Sequence, residues 1–290
     1  MKYGFIRDHR QEYRVSVMCR VLGVSRSGYY AWVTRPESRR SQANRQLVSQ
    51  IRMVHTRSRQ LYGSPRVTAE LRVTGCGCGE NRVARLMRKH GIRARTARQF
   101  KVTTDSRHSF PVAPNLLDRA FRVDRPNAVW VSDITYIWTS EGWLYLAGVL
   151  DLYSRQVVGW SMSRRVDGEL TLSALRQAIA RRRPGPGLLH HSDQGRQYAA
   201  DDYRKLLSGY GMTASMSRKG DCWDNAVMES FFGTLKTELI FFEKFSTRDE
   251  AKIKIFEYIE VFYNRQRRHS TLGYLSPAEF EGAVGLNDPE

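Results

Sequence analysis

The hydrophobic positions of this chain follow one pattern up to about residue 120 and another from about residue 128. In the first part, apolar residues recur every three or four positions, which is the period of a helix. In the second part, short runs rich in valine, isoleucine and aromatic residues stand between turn signals, which is typical of strands. The pattern therefore predicts an all-α N-terminal part followed by an α/β part.

Residues 1–35 are predicted to hold two short helices on either side of the letters "LGVS". Met18 and Leu22 lie on one apolar stripe of the first helix. Gly23 is suited to end that helix, and Ser25 is suited to cap the next one. Two short helices around such a turn form a helix-turn-helix-like segment.

Residues 42–92 form a second helical block, which ends in "ENRVARLMRKHG". Val83, Leu86 and Met87 form the apolar stripe of this last helix. Its other side is basic and includes Arg82, Arg85 and Arg88. We predict that this is a helix-turn-helix-like DNA-binding domain whose arginines contact DNA. The alternative is an ordinary basic helix packed in a small bundle.

Residues 93–120 contain prolines and little periodicity, which predicts a linker. Residues 121–243 show the element order β-β-β-α-β-α-β-α, which implies a mixed sheet covered by helices. The last helix of that series is expected from about residue 224 to 242. Residues 244–290 form a helical tail, with an amphipathic helix at 247–264.

The charge of the chain agrees with a boundary near residue 120. The formal net charge is +18, and residues 1–120 carry all of the excess, with 25 Lys and Arg against 7 Asp and Glu. A segment this rich in arginine suggests a polyanionic partner, most simply nucleic acid. A merely solvated basic surface is the alternative.

Several classes of protein are not predicted. No apolar stretch is long enough for a membrane span, and the first residues do not resemble a signal peptide. Cys76 and Cys78 lack the partners of a zinc site, so reduced thiols in a cytoplasmic protein fit better. No G-x-x-x-x-G-K-[ST] motif occurs, so ATP binding is not expected.

Three acids stand where metal-dependent chemistry could use them. Asp133 lies in the predicted strand "WVSDITY", Asp193 follows the short strand "GLLHHSD", and Glu229 lies in the last helix of the α/β part, with 35 residues between it and Asp193. Carboxylates from these elements can converge on two Mg²⁺ ions, which activate an attacking hydroxyl and stabilise a leaving oxygen. Taken singly, each acid also has a structural explanation, as a strand end, a turn or a solvated helix residue.

Two further acids precede Glu229 in "SMSRKGDCWDNAVMESFFGTLKTE". We interpret Asp224 as the N-cap of the helix that carries Glu229, and Asp221 as part of the loop before it. On this interpretation they place the helix and do not bind metal.

The motifs "WVSDITYI", "HSDQGRQY" and "NAVMESFFGTLKTE" resemble the D, D-35-E signature of RNase H-like transposases and retroviral integrases. "SRSGYYAW", "YGSPRV", "GWLYLAGVLDLYSRQVVGW", "SMSRKGDCWDN" and "YIEVFYNRQRRHSTLGYLSPAEFE" bring the chain closest to OrfB-type transposases of the IS-three family of bacterial insertion sequences. The resemblance covers nearly the whole chain. It implies an RNase H-like five-stranded mixed sheet and a D, D-35-E active site in which Asp133, Asp193 and Glu229 are the metal ligands.

The resemblance also implies that Lys236 touches the DNA end. Helical geometry supports this independently, because positions 225, 229, 232 and 236 share one face. Asn225 is therefore a further candidate for DNA contact.

Other candidates have weaker support. His191 and Gln197 flank Asp193 and could orient the substrate or a ligand, but His191 could equally pack or cap a turn. In "YNRQRRH", Arg265, Arg268 and His269 are expected to contact DNA phosphates, or else to tie the tail to the catalytic domain. The tryptophans are expected in the core and not as base-stacking platforms; they are Trp130, Trp143 and Trp160.

The implied activity is Mg²⁺-dependent cleavage at the ends of an insertion sequence followed by strand transfer, with Mn²⁺ able to substitute. The implied partners are the terminal inverted repeats, target DNA, further copies of this chain and an OrfA-type protein from an upstream reading frame. Such a protein would act in the cytoplasm, at the nucleoid when bound to DNA. A catalytically inactive DNA-binding regulator, or an RNase H-like nuclease without strand transfer, are the alternatives.

Overall fold

The computed structural model of the chain describes residues 1–95, 112–218 and 222–285. Six helices are followed by a five-stranded sheet with helices on both faces and then by a helical tail. No helix in those ranges is long and apolar enough to cross a membrane.

The first three helices form a small module with its own core. They are α1 (Lys2–Asp8), α2 (Val15–Val21) and α3 (Arg26–Thr34). Gly23 has a φ of +60° just after α2, and Ser25 Oγ accepts a hydrogen bond from the Gly28 N–H, which caps α3. The two predicted helices and their turn are therefore confirmed, and α1 is an additional helix. Ile6, Met18 and Tyr29 lie at the centre of the module.

The next three helices are α4 (Arg39–Arg57), α5 (Ser64–Val73) and α6 (Glu80–Lys89). Val83, Leu86 and Met87 of α6 are buried, as the apolar stripe predicts. These helices do not close around a separate core. Their buried side chains join one cluster with the sheet, the helix that carries Glu229 and the tail.

The five strands are β1 (Val129–Thr139), β2 (Gly142–Asp151), β3 (Val157–Ser163), β4 (Leu189–Ser192) and β5 (Thr213–Met216). Their order in the sheet is β3-β2-β1-β4-β5. The β1–β2 and β2–β3 pairs are antiparallel, whereas β4 pairs in parallel with both β1 and β5. The predicted mixed five-stranded sheet is confirmed.

Helices cover both faces of this sheet. On one face lie α7 (Gly168–Arg182) and α9 (Asp201–Gly209), preceded by the short α8 (Arg196–Ala199); on the other lies α10 (Ala226–Glu238). The contact between α7 and β3 is very close at Gly159, where a Cβ atom would stand 2.3 Å from the Ala174 carbonyl oxygen. Only glycine fits there, because any side chain would push the helix off the sheet.

The tail begins with α11 (Arg248–Phe256), which continues as π-helical turns at Glu257–Tyr263, and it ends with α12 (Pro277–Gly285). The predicted helix at 247–264 is therefore present but changes its winding after Phe256. Asn264 fixes the tail to the sheet, since its side-chain amide exchanges two 3.0 Å hydrogen bonds with the backbone of Val157.

Part of the predicted linker, residues 96–111, lies outside the described residues. The segment after it packs on the sheet. Leu117 is buried, and the backbone N–H groups of Leu116 and Leu117 donate to Ser215 Oγ of β5. This stretch therefore belongs to the surface of the α/β part.

Candidate active site

Asp133 occupies the middle of β1, at the point where its parallel neighbour ends. The β1–β4 ladder runs only from Val129 to Ser132, which pairs with Ser192. Asp133 falls on the same strand face as Val131 and Ile137, whose side chains join the core under α10. Its Oδ1 accepts a 2.7 Å hydrogen bond from the N–H of Ile134. One strand thus holds a half-buried carboxylate at the edge of the core.

Asp193 is the first residue after β4 and is therefore adjacent to Asp133 across the parallel pair. Its Oδ1 accepts a 2.9 Å hydrogen bond from the N–H of Gly195. A Cβ atom at position 195 would stand 2.9 Å from that oxygen and 3.0 Å from Gln197 Nε2. A side chain at position 195 would displace the Asp193 carboxylate or the Gln197 amide, because the loop closes tightly around them.

Helix α10 brings Glu229 to the same place. Before its first turn, Asn225 Nδ2 donates a 3.1 Å hydrogen bond to the Ser132 carbonyl. Met228 packs over Gly148, which pairs with Asp133 in the sheet. Glu229 is the next residue along, and its charge reaches Asp133, where it helps to raise the pKa.

Further along α10, Lys236 Nζ lies 4.9 Å from the centre of the Tyr136 ring. Lys236 is two helical turns beyond Glu229, and Tyr136 is three residues beyond Asp133. Helix α10 therefore contacts β1 both near Asp133 and near Tyr136.

The carboxylates act on one another electrostatically. Burial first, and the charge of Asp193 second, raise the pKa of Asp133 well above its usual range. Glu229 adds to this rise, while the Ile134 N–H and the ammonium group of Lys236 oppose it. Glu229 is exposed at the surface of α10, and the partial burial of its carboxyl group raises its pKa. Asp133 is thus a carboxylate that the protein itself leaves poorly compensated.

The three side chains do not already have coordinating geometry. Within the described ranges, no three His, Cys, Asp or Glu side chains are placed to hold a metal ion together.

Asn225 adds an unusual polar group to the site. Its side chain is buried, and among the described residues its Oδ1 has no hydrogen-bond partner. Buried acceptors are normally satisfied, so this oxygen is available to a water molecule or a ligand. Its Nδ2 is already used to hold α10 on β1.

The prediction that Asp224 is the N-cap of α10 is wrong. Asn225 occupies the N-cap position without a side-chain cap, and Asp224 lies in a 3₁₀ helix at Cys222–Asn225. The Asp224 carboxylate accepts hydrogen bonds from three side chains, those of Arg218, Arg119 and Asn115. Its hydrogen bonds with Arg218 come first among the causes that hold its pKa well below the usual range. Asp221 lies outside the described residues.

His191 is structural. It is fully buried, and its two ring nitrogens lie 2.9 Å from Ser215 Oγ and 3.0 Å from Ser217 Oγ. Burial lowers the pKa of His191 to about 4. A neutral, fully hydrogen-bonded imidazole fixes the carboxyl ends of β4 and β5 behind Asp193.

The predicted basic contacts divide into two sets. Arg85 and Arg88 of α6 are exposed, and Arg82 beside them donates a 3.0 Å hydrogen bond to Asn44 of α4. Arg265 is also exposed and lines a cavity of about 120 Å³ between α4, α5 and the tail. These residues remain candidates for DNA contact.

Arg268 and His269 belong to the second set, since both are buried. Arg268 pairs with Glu70 of α5 and with Glu279 of α12, at 2.6 and 2.8 Å. Burial, with the charge of Arg267 next, lowers the pKa of His269 to about 3. The expectation that these two side chains contact DNA is therefore replaced by the alternative that this block ties the tail to the rest of the chain.

The three tryptophans that were expected in the core differ in burial. Trp130 is buried, and Trp160 is half-buried with its ring N–H donating to Glu260, so both belong to the packing as predicted. Trp143 is not in the core, because 42% of its surface is exposed, and its cross-strand partner Trp138 is 59% exposed. The sequence did contain a signal for this exposure. Trp138 and Trp143 stand on either side of the turn "SEG", and residues beside such a turn lie at the end of a sheet, where burial is low.

Three family models match parts of this chain. A family model described as Integrase core domain matches residues 123–222, and a second model with the same description matches residues 210–277. A model described as HTH-like domain matches residues 42–100. The first match includes Asp133 and Asp193, the second includes Glu229, and the third spans most of α4 and all of α5 and α6.

Two relatives are similar along nearly their whole length. The uncharacterized 31 kDa protein of insertion element IS600 from Shigella sonnei is 51% identical over 263 residues, which is 91% of this chain and 97% of that protein. Transposase InsF for insertion sequence IS3A from Escherichia coli strain K12 is 46% identical over 283 residues, which is 97% of this chain and 98% of that protein.

Among solved structures, an intasome of simian T-cell lymphotropic virus in complex with PP2A regulatory subunit B56 gamma contains a chain that aligns with 83% of this one. The alignment covers 75% of that chain at 16% identity, with a TM-score of 0.48. The sequence relatives, and not this weaker structural similarity, define the family.

Proposed function

Since this chain belongs to the IS3 family of insertion-sequence transposases, we propose that Asp133, Asp193 and Glu229 are its catalytic carboxylates. They act in DNA cleavage at the ends of the insertion sequence and in joining those ends to new DNA. The observation that carries this assignment is geometric: Asp133 lies on β1 where the β4 ladder ends, Asp193 follows β4 directly, and Asn225 fixes the start of the Glu229 helix to Ser132. Burial and the charges of the other two acids raise the pKa of Asp133, which is typical of functional sites.

The donor chemistry of the site fits divalent metal ions. Carboxylate oxygens are the ligands that Mg²⁺ prefers, and Mn²⁺ takes the same set. Asp133, Asp193 and Glu229 would hold two Mg²⁺ ions, and the unpartnered Oδ1 of Asn225 would accept a hydrogen bond from a water molecule there. Bound Mg²⁺ supplies charge neutralisation and activation of the attacking oxygen.

The reaction consists of two phosphoryl transfers. In the first, water attacks a phosphodiester at the element's end, the bond from phosphorus to the 3′ oxygen breaks, and a 3′ hydroxyl is released. In the second, that 3′ oxygen loses its proton and attacks the phosphorus of another phosphodiester; the bond from that phosphorus to its own 3′ oxygen breaks, a new DNA–DNA phosphodiester forms, and the displaced strand leaves with a 3′ hydroxyl. Lys236, which lies beside Asp133 and Tyr136, positions the strand through its phosphates.

A second DNA contact lies on α6, away from the three carboxylates. Arg85 and Arg88 are exposed on its basic side, where they bind phosphates of the terminal inverted repeats. Two ends must be held together for transfer, so the active assembly contains at least two copies of this chain, with an OrfA-type protein as a further partner. This assembly acts on target DNA at the nucleoid in the cytoplasm.

The test compares the wild type with Glu229→Gln on a plasmid that carries the element's terminal repeats. With Mg²⁺, the wild type is expected to nick the ends and to form new DNA–DNA junctions, and Glu229→Gln is expected to do neither. Glu243→Gln, the same substitution on the loop after α10, is the matched control and should keep activity. Binding in EDTA and thermal melting should be unchanged in both variants.

Three outcomes would contradict the proposal. If Glu229→Gln cleaves as well as the wild type, the carboxylates are misassigned. If the wild type binds the repeats but never cuts them, the chain is a DNA-binding regulator. If the wild type hydrolyses DNA without forming junctions, it is a nuclease without strand transfer.

A further inference from the structure

The tip of the β1–β2 hairpin carries an exposed aromatic cluster, defined here as Tyr136, Trp138 and Trp143. The Trp143 ring meets the Tyr136 ring edge-on at 5.0 Å and the Trp138 ring edge-on at 4.8 Å. Trp138 and Trp143 are 59% and 42% exposed. Contiguous exposed aromatic surface of this kind marks a binding site more often than a packing defect.

Lys236 joins this aromatic cluster to the carboxylate site across the edge of β1. Asp133 and Tyr136 are three residues apart on that strand, about 10 Å at the usual rise, and their side chains leave opposite faces of it. The ladder with β4 ends at Ser132, and Lys236 Nζ, from the helix that packs on the Asp133 face, lies 4.9 Å from the Tyr136 ring. A DNA strand bound at the carboxylates and at Lys236 would reach these rings within a few nucleotides.

Positive charge flanks the cluster on its other side. Strand β3 ends at Ser163, opposite Tyr145 of β2, so the exposed Arg164 and Arg165 follow beside the part of β2 that leads to Trp143. Aromatic rings next to Lys and Arg side chains are the combination that binds unpaired nucleotides, because bases stack while cations hold phosphates.

The hairpin tip is also held in place before any ligand arrives. Arg248, the first residue of α11, donates through Nε to the Trp143 carbonyl at 3.0 Å. The Arg248 backbone N–H donates to Glu141 in the turn at 2.9 Å. A platform fixed in this way loses little conformational entropy on binding.

We propose that the aromatic cluster stacks on unpaired bases of the DNA strand whose phosphodiester lies at Asp133. The inference rests on the proposed function, because that assignment is what places the reacting strand beside Tyr136. The inference adds a second kind of ligand, unpaired nucleobases near the reacting bond. Binding of the phosphodiester at the carboxylates does not itself require them. The rings select DNA whose end is open over DNA whose end is fully paired.

The experiment measures binding in EDTA, so that no catalysis is involved. The probes are duplexes of the element's own terminal repeat with the last nucleotides either paired or mismatched, and with 2-aminopurine in the mismatched positions. The wild type should bind the open end more tightly and should quench the 2-aminopurine fluorescence. Trp138→Ala should lose roughly five- to hundred-fold in affinity for the open end and lose the quenching, while Trp138→Phe should recover most of both.

Tyr210→Ala is the matched control, because Tyr210 is an aromatic residue of similar exposure (49%) on the loop after α9. It should behave as the wild type does. If Trp138→Ala binds and quenches like the wild type, the platform does not stack on bases. The inference is equally overturned if Trp138→Ala changes the sedimenting mass of the DNA-free protein but not the preference for open ends, since the cluster is then an interface between copies.

These outcomes are separate from those for the proposed function. Activity retained by Glu229→Gln contradicts the catalytic assignment whatever the binding data show. An inactive Glu229→Gln together with unaffected binding by Trp138→Ala contradicts the stacking inference alone.

Discussion

The protein treats two of its acids, Asp224 and Asp133, in opposite ways. Asp224 is buried, and Arg218, Arg119 and Asn115 donate to its oxygens, so its pKa is held far below the usual range. Asp133 has two other acids as its neighbours, and its pKa is raised. A carboxylate whose charge the protein has already neutralised serves the fold, whereas one left uncompensated is ready for a cation from outside.

The same division holds among the basic side chains. Arg268 is buried between Glu70 and Glu279, so its charge is used within the fold. Arg85 and Arg88 are exposed on the outer side of α6. Residue type did not separate these arginines, but the presence of buried partners does.

The largest expected effect tests the uncompensated group. Asp133→Asn should reduce cleavage and joining by at least roughly 10²-fold, since losing one electrostatic group of an active site costs about that much. Its free energy of unfolding should stay the same or rise, because the substitution removes repulsion with Asp193 and Glu229. Assays with Mg²⁺ measure the activity, and urea unfolding in EDTA measures the free energy of unfolding. A variant that is both inactive and much less stable would mean that Asp133 is structural.

The next effect tests the neutralised group. Asp224→Asn should lower the free energy of unfolding by about 2–4 kcal/mol, because it leaves buried and half-buried donors without their charged acceptor. Urea unfolding in EDTA gives the value. Where the variant is folded at low temperature, its activity should be close to that of the wild type. A well-folded Asp224→Asn protein that is as inactive as Asp133→Asn would remove the distinction between the two groups.

The pH dependence of stability should show a smaller effect with a definite sign. Since the folded pKa of Asp224 is lowered, its contribution is complete above the unfolded value of about 4 and is lost as pH falls below it. The difference in unfolding free energy between the wild type and Asp224→Asn should therefore be constant from pH 7 to about 5. Below pH 4 it should shrink, by at most about 1.4 kcal/mol per pH unit.

A difference that grows on acidification would show that the Asp224 carboxylate is not stabilised by its arginines. The comparison uses urea midpoints at each pH, so that both proteins experience the same protonation of all other groups.

The smallest effect concerns the basic residues. Arg85→Gln combined with Arg88→Gln should weaken binding to the terminal repeat and make the plot of log affinity against log salt shallower, by about 0.9 for each lost phosphate contact. Their stability should be nearly unchanged. Arg268→Gln is the contrast, because it should cost about 3 kcal/mol of stability and leave the salt slope as it is. Equal slopes in all variants would place the DNA on another surface.

Point substitutions are the right probe here, because α4, α5 and α6 cannot be removed cleanly. Leu47, Ile51 and Val67 share one core with catalytic-helix residues such as Phe231. The first module is different, since Ile6, Met18 and Tyr29 form their own cluster. Deleting residues 1–34 should therefore leave the catalytic core folded.

Much of the fold followed from local patterns. The helical stripe of α6, the strands on either side of "SEG" and the Gly23–Ser25 turn depend on neighbours within a few residues, so the sequence predicts them well. The spacing of Asp193 and Glu229 is likewise visible in one dimension. The prediction for Asp224 was wrong for the same reason. An aspartate just before a helix is locally suited to be its N-cap, but the Asp224 oxygens accept hydrogen bonds from Arg218 and Asn115 instead.

By itself, then, the sequence determined the order of the elements, the basic character of the N-terminal half and the three acids at the ends and crossings of elements. Only the tertiary structure decided which charged side chains are buried against an opposite charge and which lack such a partner. Arg268 is buried because Glu70 reaches it from 198 residues away, and Trp143 is exposed because the sheet ends beside it. Burial and neutralisation depend on partners distant in sequence, and no local pattern of residues contains them.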